Sequence, residues 1–227
     1  MHKGARMFGN IYILGTHTLA RSYFQKITHA KNQGLIHVKN CELVPDPYSD
    51  FILNYLEKNQ TADLHDTLVP DHTAKHVLLQ VFLDVIQKRF PQLETFPVAF
   101  KSDFTTPFLH KSADESVWAV SYATWTCPPD CDEPKICPHI EDTRTWDFND
   151  SLAKLFAAQP QNTKTYRFSC ARLVEEISHI PMIKIQNAVS DYLKALKNHP
   201  PQKVIVATHS HCHGIFGQFG IQPVNCS

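Results

Sequence analysis

Apolar positions alternate with polar ones in two different periods along this chain. Five stretches repeat every three to four residues and are predicted as helices. Thr18 to Gln33 carries Leu19, Tyr23, Phe24, Ile27 and Ala30 at helical spacing, with Gly34 as its C-cap. Ser49 to Lys58, Thr73 to Phe90, Asn149 to Ala158 and Ile183 to Leu196 follow the same period. The Thr73–Phe90 stretch is the clearest, with Val77, Leu78, Val81, Phe82, Val85 and Ile86 on one face. Short apolar runs are predicted as strands: Gly9–Gly15, Leu35–Val38, Asp66–Val69, Phe96–Phe100, Val117–Ala123, Tyr166–Ala171 and Lys203–Thr208.

Strands and helices alternate over most of this order. A β-α-β opening followed by further crossovers predicts an α/β fold of three layers, with a Rossmann-like, mostly parallel sheet and helices on both faces. The expectation is one α/β domain over residues 1–227, with an internal seam near 103–114. Hydrophobic residues are 43% of the 227 and charged residues 19%, a globular balance. Lys+Arg and Asp+Glu are both 22, so a general attraction to nucleic acid or to an anionic membrane surface is not expected. No export signal and no apolar stretch of membrane-spanning length is read, so a cytoplasmic location is expected. A small-molecule ligand fits these features; the oligomeric state is left open.

Two counts change the picture: 14 histidines and only 7 glycines. The glycine shortage bears on Gly15-Thr16-His17, the turn from the first strand into the first helix. Rossmann proteins bind pyrophosphate at this position. Gly15, Thr16 and His17 are therefore candidate cofactor-binding residues. The G-x-G-x-x-G fingerprint, however, keeps one glycine of three, with His17 where the backbone must approach phosphate. An ordinary turn is favoured over an NAD(P) site.

The chemistry concentrates in two later segments. Cys127, Cys131 and Cys137 stand at C-x3-C-x5-C in a proline-rich loop, with His139 two residues on. Proline lowers the entropy cost of holding thiolates together. In a chain read as cytoplasmic, clustered cysteines point to metal or catalysis rather than to disulfides. The alternative is a loop of unligated thiols, and metal is favoured. The second segment, Thr208-His209-Ser210-His211-Cys212-His213-Gly214, follows the last predicted strand. It resembles the T-H-x-H-x-D-H zinc motif of the metallo-β-lactamase superfamily but lacks its Asp. It also resembles a nucleophile elbow around Cys212, yet only 13 residues follow Gly214 to supply the downstream acid and histidine of an α/β-hydrolase. Both enzyme readings are set aside in favour of metal ligation at a strand end, against a solvated histidine-rich loop.

If the strands before these segments run parallel in one sheet, both emerge at its carboxyl edge, where open α/β sheets place ligands. The metal ligands are then expected to be Cys127, Cys131, Cys137 and Cys212, with His139 as an alternative and His209, His211 and His213 as competitors. Zinc is favoured by the nearby imidazoles; four thiolates alone would suit an iron–sulfur cluster. A closed shell leaves His209, His211 and His213 as candidate catalytic groups. If the segment is extended, they share a face opposite Cys212. The stretches Cys127–Pro138 and Ser210–Gly214 also resemble a group of uncharacterised bacterial Rossmann-like proteins, which pair a C-P-x2-C-x-E-P-x2-C-P loop with a C-terminal S-H-C-H-G segment. The resemblance implies that the two motifs act together and supplies no activity. The other candidates receive structural readings: Arg144 in a surface ion pair rather than holding an anion, His76 facing solvent rather than pairing with His72 on a metal, and Cys170 as a small core residue.

Overall fold

Each stretch of helical periodicity buries its apolar face. Leu78, Val81, Phe82, Val85 and Ile86 are all 3% exposed or less, and in the first helix Ala20, Tyr23, Ile27 and Ala30 turn inward. The computed structural model describes residues 5–59, 63–70, 76–101, 106–125, 133, 135–174 and 177–224. Among them the elements run β1 (Arg6–Leu14), α1 (Thr18–Asn32), β2 (Ile36–Val44), α2 (Tyr48–Lys58), β3 (Thr67–Val69), α3 (Val77–Arg89), β4 (Leu93–Pro97), β5 (Phe108–Lys111), β6 (Val117–Ser121), β7 (Ile136–Cys137), β8 (Asp142–Thr143), α4 (Phe148–Ala157), β9 (Thr163–Ser169), β10 (Ala171–Val174), β11 (Ile177–Pro181), α5 (Met182–Asn198), β12 (Lys203–His209) and β13 (His213–Pro223). No described helix is long and apolar enough to cross a membrane.

The chain divides into two compact units. The first comprises Met1–Val77 and Cys170–Ser190. Its five-stranded sheet has the order β10-β11-β3-β1-β2. β1 runs parallel to β2 and to β3, as the β-α-β opening predicts, whereas β11 and β10 extend the sheet antiparallel. Ile11, Ile13, Ile27, Ile36 and Leu173 pack in one cluster with α1. Tyr12 packs against Phe51 and Tyr55 of α2.

The second unit comprises Leu78–Ser169 and Asp191–Ser227. Its sheet has the order β5-β6-β13-β12-β9, with β4 also paired to β13. Only β12 and β9 are parallel neighbours; β13 is antiparallel to β12, β6 and β4, and β5 is antiparallel to β6. A mostly parallel, three-layer Rossmann-like sheet is therefore not the fold. The sheets are mixed, thirteen strands stand beside five helices among the described residues, and many pairings are antiparallel. The physical reason is connection length. β12 enters β13 through a tight turn, and antiparallel strands need no helical crossover. One face of this sheet carries Trp118, Val120, Ile205, Ala207 and Phe216, packed with Phe148, Leu152 and Leu155 of α4. Elsewhere in the unit Phe82 packs its ring against Tyr166 and Tyr192.

Candidate functional site

β6 and β12 flank β13, and each is antiparallel to it, so they run in the same direction. The cysteine-bearing loop after β6 and the histidine-rich segment after β12 consequently leave the same end of the sheet. They reach it through an antiparallel strand, not as parallel neighbours. The Thr208–His213 segment does not stay extended beyond His209. His209 pairs with Gly214, Ser210 N–H donates to His213 O at 2.9 Å, and the chain reverses at His211–Cys212. The shared face expected for His209, His211 and His213 does not form. The turn is fixed from both sides: Tyr122 N–H donates to Cys212 O at 2.9 Å and Phe148 N–H to His211 O at 3.0 Å.

Cys212 sits at this turn, 6% exposed. Its Sγ accepts from Arg144 Nη1 and from Trp146 Nε1, each at 3.4 Å. Burial raises the thiol's pKa above its ordinary value, and these two donors offset that only in part. Among the described residues Arg144 is thus engaged with a sulfur, not a surface carboxylate. Glu133, held at φ 52°, clamps the hairpin to the cysteine loop. Its Oε1 accepts from Ser210 Oγ and its Oε2 from His211 N–H, both at 2.6 Å.

Each histidine of the turn is held by its own neighbours. His211 Nδ1 lies 3.2 Å from Asp147 Oδ2. The other Asp147 oxygen caps α4, accepting from Asn149 N–H at 2.8 Å. Burial raises the Asp147 carboxyl, but the Asn149 bonds and His211 outweigh it and hold it below its ordinary range. His213 places Nδ1 2.8 Å from Ser121 Oγ and Nε2 4.0 Å from Glu133. Burial lowers its pKa against the pull of Glu133. His209, 2% exposed, donates Nδ1–H to Ser210 O at 2.8 Å; its Nε2 has no partner among the described residues, and burial favours the neutral ring.

An aromatic wall adjoins the turn. Tyr122 stacks with Trp146, Trp125 meets Trp146 edge-on, and His139 stacks on Trp125 at 4.2 Å between ring centres. Trp125 Nε1 is buried without a partner among the described residues. Cys137 is buried in β7, opposite Asp142 of β8, and Arg144 N–H donates to Lys135 O just beyond that pair. Cys127 and Cys131 lie outside the described residues. Among the described residues no three His, Cys, Asp or Glu side chains gather as a metal shell.

In the first unit, His17 is the N-cap of α1, its Nδ1 accepting from Ala20 N–H at 3.3 Å. Gly15 has φ +109°, and a Cβ there would stand 2.8 Å from the His17 ring. The imidazole ring therefore lies close against Gly15 in this turn. His76 is buried, not solvent-facing, and His72 lies outside the described residues. Sequence reasoning missed Glu133, Trp125 and Ser121. The available signal was the Glu133-Pro134 pair inside the cysteine loop and the tryptophans that flank it.

A family model described as "Uncharacterized protein, C-terminal domain" (AF_1314_C) matches residues 73–222. That span holds the cysteine loop, Arg144, Trp146 and the hairpin, and leaves out Gly15 to His17. No curated protein and no solved structure matches the chain.

Proposed function

The chain belongs to the AF_1314_C family of C-terminal domains, and on that premise we propose that this part of it is a metal-binding module whose centre is held by Cys127, Cys131, Cys137 and Cys212. The observation that carries the reading is the pair of N–H donors on the buried Cys212 sulfur. A neutral thiol is a weak acceptor and gains little from two strong donors. A metal-bound thiolate keeps negative charge and lone pairs, and such bonds orient the ligand and tune the metal. Four thiolates on Zn2+ carry a net charge of −2, which the Arg144 guanidinium partly offsets. Glu133 stands two positions after Cys131 and four before Cys137, so its grip on the hairpin favours one centre fed by both segments. Zinc in a closed four-thiolate shell is structural, and any reaction would belong to the groups around it.

A second reading is an iron–sulfur cluster. It is favoured by the partners that His211, His213 and His139 already have, which leave thiolates as the available donors. Elemental analysis after anaerobic, chelator-free purification tests both readings. About one zinc per chain supports the first, as a single four-coordinate site requires. A brown protein with charge-transfer absorption replaces zinc by a cluster. Cys212→Ser is expected to lose the metal, and His211→Ala to keep it. A folded, metal-free wild-type protein overturns the proposal.

A further inference from the structure

Beside the Cys212 sulfur lies an open cleft of about 390 Å³, lined by Lys135, Arg144, Thr145, Trp146, Asp147 and Asp150. Its size falls at the lower end of small-molecule sites. Two of its walls, Arg144 and Trp146, are the donors to Cys212. The geometry points to a binding site for a small molecule that carries an oxyanion, phosphate or carboxylate, on Arg144 and Lys135.

Three observations carry this. Arg144 uses one Nη1–H on sulfur, and a guanidinium has five N–H groups in a planar fork, so its remaining donors can take an oxyanion bidentately. Neither Arg144 nor Lys135 has a carboxylate partner among the described residues. Asp147 forms no ion pair with either, because one of its oxygens caps α4 and the other faces His211. The free N–H groups of α4 are not the anion site either, since the cap is filled. Asp150, exposed on the first turn of α4, repels an anion from that side and favours a hydroxyl or ammonium there. The ligand is therefore small and polar, with its oxyanion at the Arg144 end and a hydrogen-bond donor at the Asp150 end.

The cleft's own residues form this site whether or not the proposed centre holds metal. Isothermal titration of the full chain with inorganic phosphate, and separately with β-alanine, whose carboxylate and ammonium match the two ends, tests it at fixed ionic strength. Saturable binding of phosphate alone, of β-alanine alone, or of both supports the site and tells which oxyanion it prefers. Arg144→Gln is expected to weaken binding about tenfold or more, and exposed Lys135→Gln about threefold to tenfold. Lys197→Gln on the last turn of α5 should leave it unchanged. Metal content and the unfolding midpoint are measured on each variant, so loss of the centre and loss of the anion are read separately. If Arg144→Gln damages the fold, the Lys135→Gln result decides. Binding of neither probe by the wild-type protein, or equal weakening by Lys197→Gln, overturns the inference.

Discussion

The two units differ in how completely their buried side-chain polar atoms are paired. In the first, they are satisfied locally. Asp66, 3% exposed, accepts from Asn10 N–H at 2.7 Å, from the Asn10 side chain and from Tyr55 OH at 2.6 Å. Thr67 Oγ1 donates to Ile180 O at 3.1 Å and meets His179. In the second, Trp118 Nε1, Trp125 Nε1, Thr163 Oγ1, Tyr192 OH, Thr208 Oγ1 and His209 Nε2 are buried with no hydrogen-bond partner among the described residues, and the first unit has no such side-chain atom among its own. An unsatisfied buried polar group costs about 1–3 kcal/mol. The first unit thus reads as a scaffold closed on itself. Of the six unpaired atoms among the described residues of the second unit, those of Trp125 and His209 adjoin the turn that carries Cys212. The family match over residues 73–222 takes in nearly all of this second unit up to Gln222.

The largest test of that contrast is Asp66→Ala. It strands the Asn10 amide and the Tyr55 hydroxyl in a buried site, and about 3 kcal/mol of stability should be lost. Urea denaturation reads the loss, and metal per chain should stay at the wild-type level. A variant that empties the proposed metal centre while unfolding normally would show that the two units do not divide structure from chemistry in this way.

A pH titration sharpens the same contrast at His179. Burial pushes this imidazole down to about 4 from an ordinary 6.5, with Arg6 and Lys184 acting in the same sense. Between these values the unfolded chain binds a proton that the folded chain refuses. Stability from this group is therefore complete above pH 6.5 and falls as the pH drops towards 4, by about 2 kcal/mol after allowance for partial exposure. His179→Gln should flatten the dependence between pH 7 and 4.5. A slope unchanged in His179→Gln would assign the acid sensitivity to other groups.

The helices and the parallel opening were legible because amphipathic spacing and the β-α-β order are local signals. All five helices appear where apolar residues recur every three to four positions. The antiparallel half was not legible, chiefly because of β13. Its Gly214, Gly217 and Gly220 break the strand pattern, so His213–Pro223 resembles a tail. Each glycine answers to a neighbour: an added Cβ would lie 2.3 Å from Phe148, 2.5 Å from Leu79 or 2.2 Å from Phe96. The requirement comes from rings and branches distant in sequence, which no local window contains. At the site, residue identity marked Cys212 and the histidines, and strand direction placed both motifs at one end of the sheet. The reversal at His211–Cys212 and the Glu133 clamp were not legible, because alternation predicts faces only while a segment stays extended.

The smallest expected change in stability, with the sharpest consequence for the site, belongs to Glu133→Ala. Without the carboxylate, Ser210 Oγ still has His213 O at 3.3 Å, and the amide of exposed His211 can turn to water. The cost should be about 1 kcal/mol. What disappears is the link between the cysteine loop and the turn that carries Cys212. Groups that orient metal ligands from outside typically contribute roughly tenfold to hundredfold in affinity, so about a tenfold loss is expected in a competitive chelator titration. The φ of 52° supplies the internal control. Glycine adopts it freely, whereas alanine carries the same backbone strain as glutamate. Equal weakening in Glu133→Ala and Glu133→Gly assigns the loss to the carboxylate clamp. Recovery in Glu133→Gly would show that the carboxylate acts chiefly by holding the strained backbone in place, and unchanged affinity in both variants would separate the hairpin from the metal proposed for the cysteine loop.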